Sequence, residues 1–379
     1  MILPYIISIS DERLAAIRAK VEAYDWSQFP DAGGWSAGVG IKDLKRLMAY
    51  WRQHYDWRAV ERDLNTFPHF ITNIDGNHIH FVHVKGDGTK PPVLLLHGWP
   101  GSWLEFREII APLAADGHDV VVPSLPGFAF SRPVTSPLGP RKVAALMHEL
   151  MGRLFADTRY LIQGGDWGQG IAIWAAHDRP EALLGIHLNM LDVFASDVEP
   201  QNDEEKAYVA NREVTTEWES GYKHEQSTRP QTLGVAMADS PVGAAGWMLE
   251  KFGKWADLPT TEDGSPDIWS KFTEEQLLTN IMLYLAPASF VTATWLYFGT
   301  RLEGSQSLPA GSFILVPTGV AAFPDPVFAP PPRSFANKTY NIVHWSDMPS
   351  GGHFAAMEEP QLLLADLRTF IATVTATHS

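Results

Sequence analysis

The sequence predicts an α/β protein with a mostly parallel, doubly wound β-sheet, an inserted helical cap and an N-terminal extension. Short apolar runs alternate with helical patterns over residues 91–195, which is typical of βαβ units and a parallel sheet. The alternation stops over 196–304, where the patterns are helical, and resumes over 305–379. Residues 1–90 differ because helical patterns there precede strands. We therefore expect one α/β core in two halves, with the cap between them.

The N-terminal extension, residues 1–90, is expected to wrap around the core. Ser10 or Asp11 is a suitable N-cap for a first helix that ends at Tyr24, and a second helix is expected from Ile41 to about His54. The segment FITNIDGNHIHFVHVKG then predicts a pair of strands. The apolar start MILPYIISIS is short and lacks basic residues, so we expect neither a signal peptide nor a membrane anchor and infer a cytoplasmic location.

The core halves supply the remaining predicted strands. The first half contains PVLLL, DVVVPSLPG, YLIQGGD and GIHLNM, with a helix predicted from Gly170 to about His177 after the third strand. The second half contains SFILVPTGV and YNIVHW, followed by a last helix from about Glu359. Chemically reactive residues are expected where these strands end, because open parallel sheets place their sites at the carboxyl edge.

Composition excludes several classes of function. The 379 residues include 29 basic and 44 acidic side chains, which gives a net charge of −15. That charge disfavours nucleic acid and anionic membranes as partners. There is no cysteine, so disulfides, thiolate nucleophiles and cysteine-based metal sites are excluded. The 14 Trp, 10 Tyr and 19 Phe residues serve a large core and can also line an apolar pocket.

Three strand ends carry the residues of greatest chemical interest. They are HGWPGS (97–102), GGDWG (164–168) and GGHF (351–354). The second has the strand–turn–helix setting of a nucleophile elbow, but Asp166 stands where G-x-S-x-G has serine. An aspartate nucleophile forms an alkyl ester at a saturated carbon, which suits an epoxide or a haloalkane. The alternative is that Asp166 only caps the following helix.

Two other motifs are weak. Ser36 lies in the literal G-x-S-x-G match of the chain, but no apolar strand precedes it and it comes before HGWPGS, so we interpret it as a loop residue. His78, His80 and His83 could suggest a metal site. On a strand His83 points away from the other two, and no carboxylate adjoins them, so we interpret all three as strand histidines.

Taken together, the motifs resemble those of the microsomal-type epoxide hydrolases. The resemblance covers almost the whole chain, in YWRQHYDW and LNTFPHF of the extension, HGWPGSWLEF, PSLPGFAFS, IQGGDWG and GGHFAAMEEP of the core, and GYKHEQSTRPQT and NIMLY of the cap. It implies an α/β-hydrolase fold with an N-terminal extension and a helical cap. It also implies an enzyme that needs no metal or organic cofactor and that uses water and a small epoxide.

The resemblance assigns a role to each matching residue. It implies that Asp166 is the nucleophile and His353 the general base, and that Tyr222 and Tyr297 of the cap hold the epoxide oxygen. The backbone N–H groups of Trp99 and Trp167 are the implied oxyanion-hole donors. The chemistry agrees with the tyrosine roles, because an epoxide opens only when its oxygen is protonated or strongly hydrogen-bonded. The alternative for either tyrosine is a core aromatic with a satisfied hydroxyl group.

The acid that orients the base departs from the family pattern. In the sequence FPDP, Pro326 stands where the family has a carboxylate, and Asp325 comes one position early. We favour Asp325, because a loop can absorb a shift of one residue. Asp192, just past the strand GIHLNM, is an alternative, and a third is that no acid contacts His353. In that last case ester formation would survive while ester hydrolysis slowed.

The predicted function is hydrolysis of an apolar, bulky or aryl epoxide to a vicinal diol. Trp99, Trp167, Trp218 and Phe290 are the candidate substrate-binding residues because they are aromatic and lie in or near the motifs. A haloalkane dehalogenase and a catalytically silent binder of apolar ligands remain alternatives. The substrate, the selectivity and the oligomeric state, including a homodimer, stay open.

Overall fold

The protein was analysed as a computed structural model, which describes residues 1–156 and 158–376. It contains a single sheet and helices on both sides of it. The strands are β1 (Ile2–Tyr5), β2 (His69–Ile74), β3 (Asn77–Val84), β4 (Val93–Leu96), β5 (Val120–Pro123), β6 (Tyr160–Gly164), β7 (Leu183–Leu188), β8 (Ile314–Ala322) and β9 (Tyr340–Asp347). The helices are α1 (Asp11–Glu22), α2 (Ile41–Gln53), α3 (Trp57–Leu64), α4 (Arg107–Ala115), α5 (Pro140–Phe155), α6 (Asp166–Asp178), α7 (Asp203–Glu219), α8 (Gly221–Thr228), α9 (Pro230–Asp239), α10 (Pro241–Trp255), α11 (Glu274–Leu285), α12 (Phe290–Glu303), α13 (Arg333–Ala336), α14 (Ala355–Glu358) and α15 (Pro360–Ala376).

The predicted mostly parallel sheet is confirmed. Its nine strands lie in the order β1-β2-β3-β5-β4-β6-β7-β8-β9. The six strands from β5 to β9 in that order pair in parallel. The four strands β4 to β7 are wholly buried, as parallel strands covered by helices must be, whereas the last strand, β9, is partly exposed. Helix α6 packs across β4, β7 and β8, while α15 packs across β7, β8 and β9. The sheet is therefore doubly wound.

The N-terminal extension continues this sheet in the antiparallel sense. Strands β2 and β3 form the predicted pair, and β3 joins β5. Strand β1 was not predicted from the sequence, because its run is short and contains Pro4. A proline is tolerated there since β1 is the edge strand and pairs only with β2. Helix α1 begins as expected, with the Ser10 side chain accepting the Arg13 N–H.

The inserted segment is helical, as predicted, and consists of α7 to α12. It is tied to the core close to the strand ends. In α11, the Asn280 amide donates to the Pro100 carbonyl over 2.7 Å, and the Tyr284 hydroxyl donates to the Gly101 carbonyl. In α12, Thr292 donates to the Gly127 carbonyl. These contacts hold the cap over the carboxyl edge of the sheet.

The described residues contain neither a single helix suited to cross a membrane nor a cluster suited to bind a metal ion. No single helix among them has the length and apolar composition needed to cross a membrane. The pair α11 and α12 meets that criterion only jointly, across a 77° bend. In the same part of the chain, no group of three or more histidine or acidic side chains is arranged to hold a metal ion.

Candidate active site

Asp166 stands at a sharp turn between β6 and α6. Its φ is 44°, which is a strained value for a residue with a side chain. The turn is possible because its neighbours are small. A Cβ at Gly168 would lie 2.0 Å from the Leu96 carbonyl oxygen, and one at Gly98 would lie 1.9 Å from Asp166 Oδ1. Helix α6 begins at Asp166, four residues before the start expected from the sequence, because these glycines let the chain turn directly into the helix.

His353 lies between two carboxylates. Its Nε2 is 3.3 Å from Asp166 Oδ2, and its Nδ1 is 2.9 Å from Asp325 Oδ2. The other oxygen of Asp325 accepts the N–H groups of Val327 and Phe328 at 2.8 and 2.7 Å. Asp325 is thus within hydrogen-bonding distance of the imidazole, and Asp166 lies just beyond that distance on the other side of the ring.

Asp192, the alternative acid, lies elsewhere. Its carboxylate accepts a hydrogen bond from the Gln169 side chain and lies 3.4 Å from the Arg212 guanidinium. The structure therefore brings Asp325, and not Asp192, against His353. The loop accommodates the one-residue displacement, since the N–H groups of Val327 and Phe328 fold back onto Asp325 and hold its carboxylate against His353.

The charges around His353 favour its protonated form. Burial of the ring lowers its pKa, but the contacts with Asp166 and Asp325 outweigh burial and raise the pKa to about 10. The imidazole of His353 is therefore protonated at neutral pH. Removal of either negative charge would lower that pKa.

A further acidic residue, Glu358, holds the loop that carries His353. Its carboxylate accepts the N–H groups of Gly352, Phe354 and Asp257, each at 2.8 Å. Burial raises the pKa of Glu358 to about 7, although these three hydrogen bonds oppose the shift. The sequence did not point to this residue. Glu358 follows the histidine of GGHF by a few residues, and an acidic side chain so placed can accept hydrogen bonds from the N–H groups of that loop.

The two backbone N–H groups that the resemblance assigns to an oxyanion hole flank Asp166 in different ways. The Trp99 N–H donates to Asp166 Oδ1 over 2.7 Å. The N–H of Trp167 belongs to the first turn of α6, whose N–H groups have no acceptor within the helix. The Trp99 N–H thus contacts the carboxylate, and the Trp167 N–H belongs to the residue that follows Asp166.

The two cap tyrosines meet above Asp166. Tyr222 of α8 and Tyr297 of α12 are buried, with ring centroids 5.8 Å apart. Trp99 stacks on Tyr222 at 5.2 Å, and Trp167 packs edge-on against Tyr297 at 4.7 Å. Burial holds the pKa of both phenols well above 10, so both are neutral donors. Within residues 1–156 and 158–376, the buried hydroxyl of Tyr297 makes no hydrogen bond of standard geometry, and its polar neighbours are the Tyr222 hydroxyl and the Trp167 side chain.

Asp166 separates two cavities. A cavity of about 190 Å³ is lined by Asp166, Trp167, Tyr222 and Tyr297. A chamber of about 10 Å³ is lined by Asp166, Trp99, His353 and Glu105. Asp166 is the residue that the two linings share, so one face of its carboxylate meets the tyrosines and the other meets the base.

Two of the four predicted substrate-binding residues, Trp218 and Phe290, do not lie at the site. Trp218 is 83% exposed on the outer side of α7, because that helix buries hardly any of its residues. Phe290 is buried, but it packs against Tyr284 inside the cap and lines neither cavity. The sequence identified both as aromatic and could not show which way they face. Trp99 and Trp167 do lie at the site.

The weak motifs have structural explanations. Ser36 ends a short helical turn, and its hydroxyl donates to the Gly33 carbonyl. His80 is buried, with ring nitrogens 3.0 Å from His69 Nδ1 and 2.9 Å from Ser124 Oγ. His83 contacts Asp119 at 2.8 Å. These residues belong to the core and to loops, remote from Asp166.

Comparisons with known proteins agree with the geometry. Residues 2–106 match a family described as the epoxide hydrolase N terminus, and residues 91–236 match the α/β-hydrolase fold. Epoxide hydrolase 1 of Sus scrofa is 36% identical over 98% of this chain and 88% of its own length. The crystal structure of juvenile hormone epoxide hydrolase from Bombyx mori has a TM-score of 0.88 at 31% identity, covering 100% of this chain and 96% of that chain. The structure of Aspergillus niger epoxide hydrolase has a TM-score of 0.85 at 31% identity, covering 99% and 97%.

Proposed function

This chain belongs to the epoxide hydrolase family, and we propose that it converts an apolar epoxide to a vicinal diol through an ester on Asp166. One observation carries the proposal. The carboxylate of Asp166 lies between a cavity with two phenol groups and a chamber with His353. An epoxide in the cavity would meet the nucleophile and two donors together, and water in the chamber would meet the base.

In the first step, an Asp166 oxygen attacks one epoxide carbon, and the bond between that carbon and the epoxide oxygen breaks. Tyr222 and Tyr297 hydrogen-bond to the oxygen as its negative charge develops, and one of the two phenols passes its proton to the oxygen and becomes a phenolate. The product is a hydroxyalkyl ester of Asp166. Two phenolic donors suit an epoxide better than a haloalkane, because a halide leaves without needing a proton.

In the second step, His353 takes a proton from water, and the hydroxide attacks the ester carbonyl carbon. The N–H groups of Trp99 and Trp167 would stabilise the oxyanion, an effect worth about 3 kcal/mol per donor. Collapse of the tetrahedral intermediate releases the diol and restores the Asp166 carboxylate. The proton that His353 loses once Asp166 is esterified restores the phenol that protonated the epoxide oxygen, and the proton that His353 takes from water restores the resting imidazolium.

The pKa of His353 fits this order of events. In the free enzyme the imidazolium is stabilised by both Asp166 and Asp325. Ester formation removes the charge of Asp166, so the pKa of His353 falls and the ring loses its proton more easily. The base therefore becomes available in the intermediate that needs it.

The side chains that line the cavity beside Asp166 support an apolar substrate. Met190, Val193 and Phe328 accompany the aromatic residues around Asp166, which supports an apolar epoxide. At about 190 Å³, the cavity is smaller than the ~300–1,000 Å³ usual for drug-sized ligands. A bulky or aryl substituent would therefore require the cap helices to move or would extend towards Arg212 and Lys223 at the polar side of the cavity.

A single turnover in ¹⁸O-labelled water tests the mechanism. With enzyme in excess over an aryl epoxide, we expect the label in the peptide that contains Asp166 and an unlabelled diol. Enzyme incubated without epoxide is the control and should stay unlabelled. Label that appears directly in the diol would contradict the ester. Halide release from a haloalkane panel, without diol formation from epoxides, would support the dehalogenase alternative.

A further inference from the structure

The chamber behind Asp166 contains an acidic side chain that the mechanism has not used. Glu105 lies in the short helical turn Trp103–Phe106, directly after HGWPGS, and it lines the chamber together with Asp166 and His353. The volume of about 10 Å³ is close to the smallest space that holds one water molecule. Glu105 is thus a third ionisable group around a space the size of one water.

The chain makes room for this carboxyl group. Glu105 Oε1 lies against the Cα of Gly101, so that a Cβ there would be 1.4 Å from it. The N–H of Ser102 is a backbone hydrogen-bond partner of the carboxyl group. Among residues 1–156 and 158–376, no side chain is hydrogen-bonded to Glu105, and the residue lines the chamber.

The electrostatics link Glu105 to the two reacting residues. Burial, and to a lesser extent the negative charge of Asp166, raise the pKa of Glu105 to about 8, against the opposing effects of His353 and the Ser102 N–H. The other neighbouring titratable group is Tyr284, whose hydroxyl donates to the Gly101 carbonyl. When Asp166 is esterified its charge disappears, so the pKa of Glu105 falls. A Glu105 carboxylate would then stabilise the imidazolium that forms on His353.

We propose that Glu105 positions the hydrolytic water, accepting one of its hydrogens while His353 takes the other. The geometry supports this, because water in the chamber lies beside the Asp166 carboxyl group, the His353 ring and the Glu105 carboxyl group at once. Water held by two acceptors directs its oxygen lone pair at the ester carbon. This inference rests on the proposed ester mechanism, and it predicts that Glu105 acts on ester hydrolysis and not on ester formation.

The test separates the two steps by rapid quench and mass measurement of the ester. We expect Glu105→Met to slow ester hydrolysis about 10- to 100-fold, because a hydrogen bond to the attacking water is lost. Ester formation should stay close to wild type, so the ester accumulates. Glu105→Gln retains an acceptor oxygen and should recover part of the hydrolysis rate. Glu108→Gln, an exposed change on the next helix, is the matched control.

A second variant keeps the carboxyl group but moves it. In Gly101→Ala, the new methyl group would displace Glu105 Oε1, so ester hydrolysis should again slow while ester formation is retained. Unchanged hydrolysis in Glu105→Met, or equal slowing of both steps in Glu105→Met and Gly101→Ala, would overturn the role of Glu105. Neither result would affect the proposed function, which fails only if the wild-type enzyme forms no ester.

Discussion

At the scale of single residues, Asp325 shows how one carboxylate can serve two purposes. One oxygen is occupied by the N–H groups of Val327 and Phe328, and this leaves the other oxygen for His353. The loop itself therefore fixes the direction of the acid. An acid that is shifted by one position in the sequence can still contact the base in the fold, because the backbone N–H groups that follow Asp325 orient its side chain.

Replacing Asp325 with asparagine should separate the two steps of the reaction. The amide cannot stabilise an imidazolium as a carboxylate does, so we expect ester hydrolysis to slow about 10²- to 10⁴-fold. Ester formation should fall much less, and the ester should be visible by mass spectrometry. Asp192→Asn, at the alternative acid, should hydrolyse the ester at close to the wild-type rate. The assignment would be wrong if Asp192→Asn gave the larger defect.

At the scale of elements, two cap helices bring the phenols to one point. Helix α12 is fixed to the core where Thr292 bonds the Gly127 carbonyl and where a Cβ at Gly299 would lie 2.3 Å from the backbone of Leu138. Helix α8 packs along α12. The position of Tyr222 thus depends on that of Tyr297, and both depend on core loops.

Removing either cap hydroxyl should affect ester formation. In Tyr222→Phe and Tyr297→Phe the ring stays packed while one donor to the epoxide oxygen is lost, so we expect alkylation to slow about 10- to 100-fold in each. Stopped-flow measurement of the ester-forming phase would show this. Tyr208→Phe, on α7 beside Phe335 and outside the cavity, should alkylate at the wild-type rate. Unaltered alkylation in both site variants would show that another group protonates the oxygen.

At the scale of the whole molecule, the N-terminal extension, the cap and the core are interlocked. The ring of Trp35 in the extension lies against α10, where a Cβ at Gly253 would be 2.3 Å from it. The end of α10 in turn accepts the His353 N–H at the Trp255 carbonyl, over 3.0 Å. The extension therefore contacts helix α10 of the cap, and α10 contacts the loop that carries His353.

Loss of the Trp35 side chain should weaken this assembly. We expect Trp35→Ala to lower the free energy of unfolding by about 3–5 kcal/mol, because a large buried ring leaves a cavity. Thermal unfolding would measure the change, and diol formation should fall with it. Trp218→Ala removes an exposed indole and should stay within about 0.5 kcal/mol of wild type. Equal stability of the two variants would mean that the extension does not support the cap.

The sequence alone was sufficient to locate the core strands along the chain and the motifs at their ends. Apolar runs and turn glycines are local signals, so they predicted β2 to β9, the helical insertion and the positions of Asp166 and His353. Strand β1 was missed because its partner is far away in the chain and Pro4 weakens its local pattern. The boundaries drawn at residues 90, 195 and 304 stay predictions.

Only the tertiary structure decided which side chains converge. Asp325 and Asp192 were both open from the sequence, and the fold put one on His353 and the other beside Arg212. The sequence could not show that Trp218 faces outwards, that Glu358 binds the N–H groups of the His353 loop, or that Glu105 lines the chamber with Asp166 and His353. The physical reason is that burial, pKa and hydrogen bonding depend on neighbours brought together from distant segments, whereas element type depends mainly on residues close in the chain.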